Sequence, residues 1–353
     1  MILLVRPYWT SFRDNRIMST TCADALELAS KVGLLMETVR EKDNDGVPRS
    51  WLEPSASDDE LGISLTVWRA AAGSLSKNAT KVALVFGDGK ATATEASSIC
   101  SETLGQCEEL ETARYVAASS GAGAPLKELV DASTRQILMA MKTLATALHS
   151  KKSDGSSEAG VVWEVAEIAL KLPKSNRAAY RRKFLTWSAE LKDSLDEFKD
   201  MLKGDDDDEE NTVNDFDDFD DADFSKYATT EDETAAKQCL GLLEAIGMTY
   251  RRSLLALDDR GKKGDFKAIA DLYTIVKRLK ASATAAAEEL YPPLDKNDLI
   301  AKVDALDAIF ADLRNAVDLK SKDRDLPALW DSRLEGTRAA LRALDDDDDE
   351  ERR

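Results

Sequence analysis

Residues 57–89 read SDDELGISLTVWRAAAGSLSKNATKVALVFGDG, and this stretch decides the fold class. Leu61, Leu65, Trp68, Ala72, Leu75, Ala79, Val82 and Phe86 follow one another in steps of three and four. That spacing keeps an apolar stripe on one side of an α-helix for about seven turns. Ser57 stands three residues before Glu60, the capping-box spacing that satisfies orphan amides at a helix start. Gly87 and Gly89 supply the stop.

The same pattern continues in both directions along the chain. Thr92 and Glu95 open a helix towards Ala118, and Pro125 fits the first turn of another that ends near His149. A shorter helix holds Val161 to Leu172 and stops at Pro173. Ser175 caps a long one with the stripe Phe184, Trp187, Leu191, Leu195, Phe198 and Leu202. Thr230 and Glu233 form a capping box ahead of Cys239, Leu243, Ile246, Tyr250, Leu254 and Leu257. Ile269 to Leu290 and Leu299 to Val317 carry two further stripes, and terminal helices are expected over 327–344 and 23–40. About ten helices with short connections predict an all-α protein of antiparallel helical bundles.

Charge divides the chain. The 353 residues carry a formal net charge of -19, yet twelve acidic residues fall within Asp205–Asp223 and seven within Asp345–Glu351. Without these two runs the remainder is neutral, so a general nucleic-acid-binding surface, which must be basic to displace counterions, is not expected. The expected organisation is a disordered or upstream extension over 1–17, an N-terminal bundle over 18–203 and an acidic linker over 204–229. A C-terminal bundle over 230–344 and an acidic tail over 345–353 follow. An acidic loop too polar to pack makes the natural boundary. No apolar run is long enough to span a bilayer. Cys22, Cys100, Cys107 and Cys239 form no CxxC pair, which fits reduced thiols rather than a disulfide framework or a zinc site.

Catalytic patterns are missing from the sequence. The one histidine, His149, sits near a helix end, where its charged form suits the dipole, and has no partner set for nucleophilic chemistry. Gly87-Asp88-Gly89-Lys90 lacks the spacing of a phosphate loop. The run 215–223, DFDDFDDAD, lacks the central Gly of a calcium loop. No cofactor or metal is expected, and no enzymatic activity.

Interaction features are present instead. Phe216, Phe219 and Phe224 punctuate the acidic run, which reads either as a solvated linker or as a segment that docks apolar grooves. Arg177, Arg181, Arg182 and Lys183 form a dense basic cluster, either a solvated helix face or an attractor for phosphate or acidic partners. Arg252-Ser253-Leu254 has the form of a cyclin-docking RxL peptide, but Leu254 falls on the core stripe. Ser57 and Thr230 precede acidic residues at expected N-caps, so both are candidate phosphorylation sites where added charge would meet the positive end of a helix.

Three blocks carry a family resemblance. Val161-Val162-Trp163-Glu164 with Leu172-Pro173-Lys174-Ser175-Asn176-Arg177-Ala178-Ala179 resembles the VWE…LPKxNxAA segment of the cyclin-D-binding protein family. Gln238-Cys239-Leu240-Gly241-Leu242 is similar to its QCxGL segment and Leu290-Tyr291-Pro292-Pro293-Leu294 to its LYPP turn. Order and spacing agree from about Val67 to Val317. The resemblance implies talin-rod or I/LWEQ-like helical bundles, no catalysis, and a helix-loop-helix-like regulator without a DNA-contacting basic region. It further implies D-type cyclin or helix-loop-helix transcription-regulator partners, negative control of cell-cycle progression and transcription, and residence in cytoplasm and nucleus. A cytoskeletal or membrane-associated helical-bundle adaptor is the alternative. The matching motifs look architectural: Trp163 and Phe184 as core, Pro173 and Pro292-Pro293 as helix punctuation, and Asn176 near a cap.

Overall fold

The computed structural model describes residues 27, 30–32, 58–87, 91–150, 153–203, 227, 229–317 and 325–350. The fold is all-α. Among the described residues it has nine long helices: α1 (Asp58–Gly87), α2 (Ala93–Ser119), α3 (Ala124–Ser150), α4 (Ser156–Leu170), α5 (Asn176–Lys203), α6 (Thr230–Lys263), α7 (Phe266–Glu288), α8 (Lys296–Ala316) and α9 (Asp325–Glu350). Residues 30–32 are also helical. Ser57, Phe216, Phe219, Phe224 and the expected segment 1–17 lie outside the described residues.

The stripes form because they are buried. In α1, Leu61 through Val82 of the expected stripe are sealed from solvent, and Phe86 packs at the edge of the same core. Trp68 is fully buried and donates from its indole nitrogen to Thr134 Oγ1 at 3.0 Å, so its one polar atom is satisfied. α1 ends at Gly87, where a Cβ would sit 2.6 Å from the Asp154 carbonyl oxygen. Helix termination there therefore needs glycine for close backbone approach. The α2 cap is as expected: Thr92 accepts from the Glu95 amide at 3.3 Å while Glu95 accepts from the Thr92 amide at 2.9 Å.

Two compact units divide the chain, 1–179 and 180–353. In the first, α1 packs on α2, α3 and α4. In the second, α6 packs on α7 and α9, and α8 packs on α7 and α9. The division falls within the first turns of α5 and not in the acidic segment 204–229. Phe184, Trp187, Leu191, Leu195 and Phe198 are buried in one core with α6, α7, α8 and α9. Assigning α5 to the preceding bundle followed chain order, but an apolar stripe belongs to whatever surface covers it.

One other expectation changes. The N-cap of α6 is Thr229, not Thr230: the Thr229 hydroxyl accepts from the Asp232 amide at 3.0 Å, and Asp232 accepts from the Thr229 amide at 3.2 Å. Both frames place Ser/Thr three residues before an acid, so spacing alone does not choose between them. The terminal helix expected over 327–344 is α9, and it is packed into the second core. Trp330 is fully buried and stacks on Phe310 with ring centroids 4.0 Å apart, its indole nitrogen 3.4 Å from Asp307 Oδ1.

Candidate protein-interaction groove

Between α1 and α2 the first unit carries an open groove of about 730 Å³. Its floor is short side chains, Ala70, Ala71, Ser74, Gly105 and Ala113, which let the two helices lie close without filling the space above them. Its walls are large and apolar: Ile63 is 67% exposed, Val67 54% and Val116 42%. Ile63 and Val67 are one turn apart on α1, on the side away from the core stripe. Glu108 and Glu109 of α2 line the acidic edge. Ser64 Oγ lies 2.8 Å from Ser120 Oγ, tying the two helices together.

The negative edge already acts on a cation of this chain. Lys31 is paired to Glu27 at 2.6 Å, and its pKa is raised first by that hydrogen bond, then by the Glu27 charge, and further by Glu108. Such a groove can hold the apolar face of an amphipathic helix while its acids meet basic flanking residues. The signal was present in the sequence as two large apolar residues off the α1 stripe. The acidic edge was not, because it requires α2 to be placed.

α2 is fixed from its other side by buried charge. The Arg114 guanidinium donates to both Glu111 carboxylate oxygens at 2.7 and 2.8 Å and to Asp131 Oδ1 at 2.8 Å. Lys127 pairs with the second Asp131 oxygen at 2.5 Å. Burial would lower the Arg114 pKa, but these hydrogen bonds and charges raise it, so the group stays cationic inside the unit.

The motif residues hold helix junctions. Trp163 corrects its expected place in the core: it is 53% exposed and donates to Ser76 O at 2.8 Å and to Thr80 Oγ1 at 3.1 Å. An indole can bind a neighbouring helix through its polar edge without being enclosed. Arg69 donates to the carbonyls of Leu172 and Pro173 at 3.0 and 2.9 Å, gathering the end of α4. Asn176 is fully buried, accepts from the Gly123 amide at 2.6 Å and donates to Gly121 O at 2.8 Å, satisfying the turn before α3. Phe184 is core. Pro292–Pro293 is a cis bond after α7, beside Leu290, whose carbonyl accepts from Tyr227 Oη at 2.6 Å.

The expected basic cluster lies in the first turns of α5. Arg181 is bound to Asp258 at 2.6 Å, Arg182 is exposed, Arg177 is half-buried, and Lys183 lies over the Trp187 ring at 5.8 Å. Leu254 is partly buried against the second core, as its stripe position implied. His149 sits in the last turn of α3. Burial pushes the Cys107 and Cys239 thiols up to about 12, with Glu108 adding to the effect on Cys107, so neither is a thiolate at neutral pH. Among the described residues no cluster of His, Cys, Asp or Glu could hold a metal, and no helix is long and apolar enough to cross a membrane.

Comparison with known proteins gives one family and no curated relative. No curated protein matches the chain. Residues 69–204 match the family model described as Grap2 and cyclin-D-interacting, N-terminal, which spans the VWE and LPKSN junctions and most of the α1–α2 groove. By that match, residues 69–204 are similar to the GCIP-type family.

Proposed function

We propose that the protein is a noncatalytic interaction regulator that sequesters a partner on its helical surface. The carrying observation is the α1–α2 groove, with Ile63, Val67 and Val116 exposed beside Glu108 and Glu109, in a chain whose matched family is described as cyclin-D-interacting. A partner helix would place its apolar face on the groove and its basic flank against the two glutamates. The family description supports a D-type cyclin as that partner; a helix-loop-helix transcription regulator is the second candidate from the sequence resemblance. Negative control of cell-cycle progression would then follow from withholding the partner in cytoplasm and nucleus, which imaging of tagged protein tests. Phosphorylation of Ser57 or Thr230 would add negative charge near the start of α1 or α6, and phosphopeptide mapping tests it. The deciding experiment is a pull-down of D-type cyclins from the same organism with wild type and Val67→Asp. Retention by wild type and loss in the variant supports the reading; no retention above control removes the cyclin from it.

A further inference from the structure

Two ion pairs fix how α5 and α6 lie together in the second unit. Arg181 meets Asp258 at 2.6 Å, and Lys199 meets Glu244 at 2.7 Å, so the two helices run antiparallel. Between these pairs the same faces carry Leu185, Ser188 and Lys192 on α5 and Met248, Arg251 and Leu255 on α6, in steps of three and four. Leu185 and Leu255 therefore stand one turn in from the Arg181–Asp258 pair, on the two sides of one seam. Leu185 is 49% exposed, Met248 51% and Leu255 50%. One such side chain is ordinary on a surface, but three along one seam make a patch. Cations rim it: Arg182 and Arg251 are exposed, as are Lys262 and Lys263 in the last turn of α6. Asp258 and Glu244, the acids that edge the seam, are already held by Arg181 and Lys199.

The complement to this patch is in the chain's own sequence. Residues 215–224 read DFDDFDDADF, in which Phe216, Phe219 and Phe224 each follow an aspartate. Aspartates suit the arginine rim, and the rings suit the leucine and methionine surface between. The stretch that holds them joins the two helices of the seam, and both of its ends are placed. Lys203 closes α5. Tyr227 donates from its hydroxyl to the Leu290 carbonyl, beside Tyr291, whose ring meets Phe198 of α5 edge-on at 5.9 Å. At 1.5 Å per helical residue, Leu185 lies about 27 Å back from the end of α5 and about 20 Å from the level of Phe198. Phe216 is thirteen residues from Lys203 and eleven from Tyr227. At roughly 3.3 Å per extended residue these spans reach about 43 Å and about 36 Å, enough from both sides. A segment tethered this closely competes at an effective concentration in the millimolar range.

We propose that the α5–α6 seam is a docking surface for residues 215–224 of the same chain, with the phenylalanines on Leu185, Met248 and Leu255 and the aspartates against Arg182 and Arg251. A partner of the same acidic, aromatic chemistry would have to compete with the chain's own segment for this surface. The site lies wholly within the second unit and does not depend on the groove of the first. Its test is a fluorescently labelled peptide of residues 211–226, titrated by anisotropy into the full chain and into the full chain carrying Phe216→Ser, Phe219→Ser and Phe224→Ser together. The triple variant should bind the peptide saturably and at least tenfold more tightly than wild type, whose own segment competes. In the triple variant, Leu185→Asp and, separately, Arg251→Glu should each weaken the peptide about tenfold. Both positions are exposed, and either serves if the other does not fold. A peptide with its three phenylalanines changed to serine should bind at least tenfold more weakly. No saturable binding by the triple variant overturns the proposal, as does equal binding by wild type and triple variant. It falls equally if neither Leu185→Asp nor Arg251→Glu weakens the peptide, which would put the contact elsewhere. Sedimentation of wild type as a dimer that the triple variant loses would assign the seam to a second copy's segment and overturn docking within one chain.

Discussion

Arg114 is a charge that the first unit tolerates only because every face of it is answered. Its guanidinium grips Glu111 with two bonds and Asp131 with a third, and Lys127 completes the neutral group. Removing one member leaves the others buried and unpaired, so Arg114→Ala should cost about 3–5 kcal/mol of stability, read from the denaturant midpoint. Replacing the set with apolar residues of similar volume should cost far less. Glu95 gives a second residue-scale prediction. The Thr92 amide and then the Thr92 hydroxyl hold its carboxyl below its ordinary value of 4.5. A lowered folded-state pKa means the carboxylate's contribution is complete above 4.5 and is lost as pH falls below it. The stability difference between wild type and Glu95→Gln should therefore shrink as pH drops through that window; a constant difference would contradict the assignment.

At the scale of elements, α1 is a helix with two apolar sides and one core. The stripe from Leu61 to Val82 was legible from its spacing, and the structure buries it. Ile63 and Val67 lie off the stripe and are exposed, with no helix of the described residues covering them. Substituting an exposed position changes stability by about 0.5 kcal/mol or less, so Val67→Asp should leave the melting temperature near wild type while partner binding is lost. A large drop in melting temperature would show that Val67 is structural and not part of a docking surface. Helix starts were legible only to within a residue. Thr92 is the N-cap that its spacing predicts, whereas the N-cap of α6 is Thr229 and not Thr230 because two overlapping Thr-x-x-acid frames compete. Trp163 shows a similar ambiguity of composition: an aromatic in an apolar helix reads as core, but its indole nitrogen is engaged at the surface by α1.

At the scale of the whole molecule, α9 completes the second unit. Leu326, Trp330, Leu334 and Leu341 are buried in the same core as Phe310 and the α6 stripe. Truncation after Val317 should expose that core and abolish cooperative unfolding of the second unit, which calorimetry would show as a missing transition. Trp330→Ala, a milder test, should cost about 3–5 kcal/mol, the usual range for emptying a large aromatic site. The sequence by itself determined that the chain is helical, where most helices begin and end, and which side of each is apolar. These are local matters: a period near 3.6, a cap and a breaker act within a turn or two. It also carried the family resemblance, through the VWE, LPKSN, QCLGL and LYPP blocks. Only the tertiary structure decided that α5 is buried with the second unit and that Glu108 and Glu109 edge the Ile63–Val67 surface. Periodicity names a face but not the surface that covers it, and a groove exists only between elements that the chain has already placed.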